Sequence, residues 1–174
     1  MPNRFDDDRR KRIAALRKRL SGEAEGKALA AFADILFRHA AGEDLIEYDA
    51  EALAEIGRGA FGFFRRRDEP TMVRVADLPG TDVKGRTHSA IEVLTGNRPF
   101  IFDSILGELQ ASGHAVRLVV HPILEVRRNA AGQAEKFAPA GGDPASDMPR
   151  ESFVHLHVPL IGDPAEKEAL AERL

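Results

Sequence analysis

Gly57-Arg58-Gly59-Ala60-Phe61-Gly62 has the spacing G-x-G-x-x-G, which brings backbone N–H groups against a dinucleotide pyrophosphate when it follows a strand and opens a helix. Here it follows Ala50 to Ile56 and continues the same helical apolar pattern, so its small residues are read as allowing close helix packing. His155 and His157 fall on one face of a predicted strand, and His121 lies on a neighbouring one; imidazoles so placed are the residue type that ligates metals. With no cysteine and no carboxylate at ligand spacing, the reading is that no metal is held. The alternative is a half-exposed sheet face carrying polar side chains, with His155, Glu151 and Ser152 as structural hydrogen-bonding groups. Arg9, Arg10, Lys11 and Arg12, and again Arg65, Arg66 and Arg67, are basic clusters beside acidic residues in or at the end of predicted helices, which favours solvated surface over an RNA site. No set of residues here composes a catalytic constellation.

The bulk properties agree with a non-catalytic globular module. The chain has 174 residues, 43% hydrophobic and 30% charged, enough for one domain or a small domain with a helical appendage. Lys and Arg number 25 against 28 Asp and Glu, a net charge of -3, which gives no electrostatic reason to expect nucleic acid as a partner. The absence of cysteine removes disulfides and thiol nucleophiles and fits a reducing cytoplasm. The first twelve residues are charged where a secretory signal needs an apolar core, and no apolar run approaches a membrane span. The expectation is a cytoplasmic protein with no membrane partner.

The elements follow from periodicity. A first helix starts at Asp6 to Asp8, carries Ile13, Leu16 and Leu20, and stops at Ser21-Gly22. A second is predicted over 23–41 with Gly42 as its C-terminal cap, and a third after Asp49 as N-cap, carrying Leu53, Ile56, Ala60, Phe61 and Phe64. From residue 71 the composition changes to short strands: 71–78, then 89–95, where Ile91 and Val93 share one face. The turn Gly96-Asn97-Arg98-Pro99 leads to a helix whose arc of Ile101, Phe102, Ile105, Leu106 and Leu109 packs on a sheet. Asp103 and Gly107 lie one turn apart beside that arc. Because a mid-helix Gly costs about 1 kcal/mol relative to Ala, this pair is the candidate domain or subunit contact, the alternative being a merely solvated face.

A strand over 116–121 is bent or interrupted by Pro122, residues 129–132 form a turn, and 133–150 reads as a long loop to which no site is assigned. The strand over 151–159 has Val154, Leu156 and Val158 on one face and Phe153, His155 and His157 on the other. Asp163-Pro164 opens a last helix in N-cap and N1 order. The chain ends inside that helix with no stop signal, so it reads as a piece of something longer, the final strand of the sheet being truncated. The predicted class is α+β: a helical segment over 1–70, then a ferredoxin-like βαββα(β) domain over 71–174 with helices on one sheet face. The half-module over 89–126 is read as small-molecule-binding or regulatory.

Specific wording adds a family. Pro99, Phe100, Asp103 and Ser104, then His121, Pro122, Val126, Arg127, Arg128 and Gly132, then Glu151, Ser152 and His155 resemble, in order, three motifs of the N-terminal region of large bacterial NAD-specific glutamate dehydrogenases. The resemblance covers roughly residues 45–174. Gly96 and Asn97 stand where that family usually has two acidic residues. The resemblance implies a first ACT-like domain within a long subunit that oxidises L-glutamate to 2-oxoglutarate with NAD, with no catalytic residue and no cofactor in these residues and NAD used by the parent enzyme. It implies the remaining domains of the same polypeptide as partners, a homo-oligomeric parent and a possible amino-acid effector. ACT modules bind amino acids at the turn from first strand to first helix, which maps to Gly96, Asn97, Arg98, Pro99 and Phe100. A bulky Phe100, where amino-acid-binding members have Gly, is expected to occupy ligand space, which favours a packing or assembly role. The other readings are a free-standing ACT-type amino-acid sensor and a nucleic-acid-binding module; the latter lacks exposed sheet aromatics in a basic surround.

Overall fold

The computed structural model describes residues 4–142 and 146–174, with side chains from residue 7 onward. Four helices come first: α1 (Arg4–Leu20), α2 (Gly26–Phe37), α3 (Gly42–Leu45) and α4 (Ala50–Phe64). Basic residues Arg17, Lys18 and Arg19 occupy the last turn of α1, where cations complement the helix dipole. The chain then reverses so tightly that a Cβ on Gly26 would lie 2.4 Å from the Leu20 carbonyl oxygen, so only glycine fits at the start of α2. That helix ends at Phe37, and Gly42, expected as its cap, instead begins the one-turn α3. Asp49 caps α4 as its residue type predicts, accepting from the Ala52 N–H at 2.8 Å.

The sheet contains β1 (Thr71–Asp77), β2 (His88–Gly96), β3 (Leu118–Val120), β4 (Ile123–Arg128), β5 (Ala134–Pro139) and β6 (Arg150–Pro159), with α5 (Ile101–Ala111) between β2 and β3 and α6 (Pro164–Arg173) after β6. Strand order is β1-β2-β6-β4-β5, with β3 also on β6, and every pairing is antiparallel. His121-Pro122 separates β3 from β4, and the Pro122 carbonyl is retained in the sheet by accepting from Phe153 N at 3.1 Å. Because β2 and β3 both flank β6, the β2-α5-β3 unit is a split βαβ. On the other side of β2, where a ferredoxin-like order seats its last strand, β1 is hydrogen-bonded from Thr71↔Thr95 to Asp77↔Ser89.

Residues 134–139 are not loop but strand β5, closing a hairpin with β4; Asn129 holds its turn by accepting from Ala131 N and Gln133 N. Residues 143–145 of the predicted loop lie outside the described residues. Helices also cover both sheet faces rather than one. Ile91, Val93, Val154, Leu156 and Val158 pack with Ile105 and Leu109 of α5 and Leu170 of α6. The opposite pleat supplies Leu94, Leu118, Val120, Leu124, Val126 and Phe153 to a core shared with α1, α2 and α4. Phe32 is the hub of that core, with its ring centroid 4.7 Å from Phe64 and 5.6 Å from Phe153.

Candidate functional site

The strand-helix turn is open. Gly96 ends β2, Asn97 N–H donates to the Arg150 carbonyl at 2.9 Å, and Asn97, Arg98 and Pro99 are exposed. Phe100 takes the N-cap position of α5 with φ 64°, a left-handed conformation rare for a bulky residue. The residue is 77% exposed, so the ring stands in solvent. Its carbonyl accepts from both the N–H and the hydroxyl of Ser104 at 2.9 Å. Asp103 and Gly107 are exposed on the outer side of α5, and a Cβ on Gly107 would meet nothing within 4 Å. Among the described residues no backbone accounts for that glycine, and the face it shares with Asp103 is exposed.

G-x-G-x-x-G lies wholly inside α4. A Cβ on Gly57 would touch Ala33 at 3.5 Å and Leu20 at 3.7 Å, whereas Gly59 and Gly62 face open space; only the first glycine serves helix packing. With no strand before it and no helix opening at it, the motif does not fit a dinucleotide. The basic clusters are also engaged within the chain. Arg10 pairs with Asp7, Arg65 with Glu25 and Arg66 with Asp68, while Arg9 and Arg12 donate to the carbonyls of Ala40 and Tyr48.

The motif residues over 121–155 hold the sheet together. Glu151, 4% exposed, receives Arg128 through both carboxylate oxygens at 2.8 Å and Arg67 at 2.8 Å. Arg128 also donates to the carbonyls of Phe64 and Gly132, so one guanidinium ties α4 to the β4-β5 hairpin. His121 Nε2 lies 2.6 Å from Ser152 Oγ, and its ring stacks on Phe102 at 4.8 Å. Burial lowers the pKa of His121 despite the opposing charge of Asp103.

His155 and His157 do not sit on a half-exposed face. They are 1% and 0% exposed, because the helical layer covers their side of β6. They belong to a continuous chain of hydrogen bonds. Tyr48 Oη is 2.7 Å from His157 Nδ1, His157 Nε2 is 2.8 Å from His155 Nε2, and His155 Nδ1 is 2.9 Å from Glu92 Oε1. Arg74 Nε then donates to Glu92 Oε2 at 2.6 Å, and Arg74 Nη2 donates to the Gly59 carbonyl at 2.9 Å. Burial pushes the Glu92 carboxyl up, but the hydrogen bond and charge of His155, with Arg74, outweigh it and hold the pKa below the ordinary carboxylate value. His157 is held well below the usual imidazole value by burial, then by repulsion from His155 and His88. Burial likewise raises the Tyr48 phenol, with Asp82 adding to it.

Tyr48, Glu92 and Arg74 were not singled out from the sequence. Glu92 carried a signal: it is the lone carboxylate in the apolar run Ala90-Ile91-Glu92-Val93-Leu94, and a charge inside an interior strand must be paired.

A split βαβ sheet with α5 and α6 on one face and an N-terminal helical layer on the other defines an ACT-like α+β domain. The chain belongs to the family described as "Glutamate dehydrogenase, ACT1 domain", whose profile matches residues 32–174. It is also similar to the NAD-specific glutamate dehydrogenase of Pseudomonas aeruginosa, 33% identical over 110 residues, which are 62% of this chain and 7% of that protein. The chain thus aligns with only a small part of that relative's length. No solved structure matches it. Among the described residues, no helix is long and apolar enough to cross a membrane.

Proposed function

We propose that this chain is a non-catalytic ACT1 domain serving assembly or regulation in an NAD-specific glutamate dehydrogenase. The parent reaction is L-glutamate with NAD and water to 2-oxoglutarate, ammonium and NADH. The remaining domains of that polypeptide and further copies of it are the partners, and its location is cytoplasmic. The membership of residues 32–174 in the ACT1 family carries this reading.

Within it, packing is favoured over amino-acid sensing at Gly96, Asn97, Arg98, Pro99 and Phe100. The Phe100 ring is presented to solvent at 77% exposure, next to the open Asp103 and Gly107 face of α5. An exposed aromatic beside a small residue is the pairing that a protein contact buries. Isothermal titration of the chain with glutamate, aspartate and other amino acids tests the choice. No heat of binding is expected; micromolar binding of any of them would support the sensor reading instead.

A further inference from the structure

We propose that the buried chain from Tyr48 to Arg74 is a proton-sensitive latch between the helical layer and the sheet, in which uptake of one proton by the histidine pair reverses the direction of hydrogen-bond donation on the Tyr48 side. The latch touches the helical layer at both ends. Tyr48 sits between α3 and α4 with its carbonyl bound by Arg12 of α1, and Arg74 of β1 ends on the Gly59 carbonyl of α4. Between them lie Glu92 of β2 and the two histidines of β6.

The direction of donation is fixed by the end that cannot donate. An ionised carboxylate only accepts, and Glu92 receives Arg74 on one oxygen, so His155 must present an Nδ1–H to the other. A neutral His155 then has a bare Nε2, and the 2.8 Å contact between the two Nε2 atoms requires the proton to be on His157. His157 Nδ1 is consequently bare and accepts the Tyr48 hydroxyl. Donation runs from Tyr48 to His157 to His155 to Glu92, with each ring in one defined tautomer.

One added proton reverses the two bonds on the Tyr48 side and leaves donation from His155 to Glu92 as it was. With both nitrogens of His155 protonated, its Nε2–H donates to His157, and the proton of His157 moves to Nδ1, facing the Tyr48 oxygen. Four protons now occupy Tyr48 and the two rings in place of three, the difference being the one taken up. Glu92 compensates the new charge at His155, which leaves the sheet intact. At the other end the Tyr48 O–H loses its acceptor and must turn toward the cleft of about 230 Å³ that Tyr48 lines with His88, Asp82, Arg86 and Arg117. The helical layer thereby exchanges the bond it donated to the sheet for one it accepts from His157 Nδ1–H, and leaves the hydroxyl hydrogen to find its partner in the cleft.

The charged groups around the pair come from every side. His88 of β2 is 6.3 Å from the His157 ring and 3.8 Å from Asp82, which Arg86 neutralises. Arg117 precedes β3, Glu55 of α4 lines a cleft of about 120 Å³ at Glu92 and His155, and Asp44 and Glu47 act on Tyr48 from α3 and the turn after it. The positive groups among them oppose a second proton, so the switch takes up one.

The chain contains one tyrosine, no tryptophan and 10 phenylalanines, so near-ultraviolet dichroism in the tyrosine band, at longer wavelength than phenylalanine absorbs, reads Tyr48, and ring ¹⁵N correlations read the histidine tautomers. At about pH 8 His157 is expected as the Nε2–H form and His155 as the Nδ1–H form. On acidification the nitrogens of both rings and the Tyr48 signal should move with one midpoint while far-ultraviolet dichroism stays constant. Amide exchange over residues 45–53, corrected for the pH dependence of the chemical step, should rise as pH falls toward that midpoint, by up to about tenfold per unit, and level off below it. In Tyr48→Phe, which keeps the ring, that extra exchange should vanish while the histidines still titrate. The opposite tautomers, a Tyr48 signal that changes only with loss of secondary structure, or unaltered pH-dependent exchange in Tyr48→Phe would each overturn the latch.

Discussion

Glu92 shows how much of this domain depends on single buried charges. Among the described residues Arg74 is its permanently charged partner and His155 its second hydrogen-bond donor, and removing one member of a buried pair leaves the other uncompensated. Glu92→Ala is therefore expected to destabilise the chain by about 3–5 kcal/mol, measured by urea unfolding. His157 sets a pH dependence of definite sign. Its folded pKa lies below the ordinary 6.5, so the unfolded chain binds the proton more readily. Its contribution is complete above about pH 6.5 and is lost as pH falls below that value, by about 1.4 kcal/mol per unit. Lowered carboxylates such as Glu92 and Asp82 act with the same sign, but only below about pH 4.5. A stability profile that rises on acidification from pH 7 to 5 would contradict this. The alternation of β6 made it legible that His155 and His157 share a face, but not that a helical layer covers it. Tyr48, the partner of His157, is 109 residues away, and no spacing rule connects residues so distant.

At the scale of elements, caps and turns were legible where a side chain or a glycine does a local task. Asp49 at the N-cap of α4 was one, and Asp49→Ala should cost about 1 kcal/mol. Strand β5 was hidden because Ala134-Glu135-Lys136-Phe137-Ala138-Pro139 lacks β-branched residues, and its one apolar anchor, Phe137, gains meaning only from Phe32 and Phe64 beneath it. The hairpin that places it depends on Gly132, whose φ is 73° and whose absent Cβ would lie 2.2 Å from the Arg67 carbonyl oxygen. Gly132→Ala is expected to lower stability by about 1–3 kcal/mol through backbone strain and the displaced carbonyl, visible as a lower Tm. Gly107→Leu should behave oppositely. With nothing near its Cβ and a better helix former in place, folding should be unchanged or strengthened by up to about 1 kcal/mol, so any effect on association is separable from stability.

For the whole molecule, the order of helices before sheet was readable from the shift in composition near residue 70, but the partnership of the two segments was not. Periodicity shows that an element has an apolar face and is silent on which other face meets it. Leu94, Phe153 and Leu124 of the sheet are buried with Phe32, Leu53 and Phe64 of the helices. A chain reduced to residues 71–174 would expose that pleat, and we expect it to aggregate or remain unfolded in far-ultraviolet dichroism, whereas the full chain should unfold in one transition. We propose that the turn at Phe100 and the α5 face with Asp103 and Gly107 serve association. Multi-angle light scattering of the chain and of its Gly107→Leu variant tests it most directly. The parent sequence is expected to self-associate and the variant, equally well folded, to shift to monomer; a variant that keeps the parent's oligomeric state would rule out association through this face.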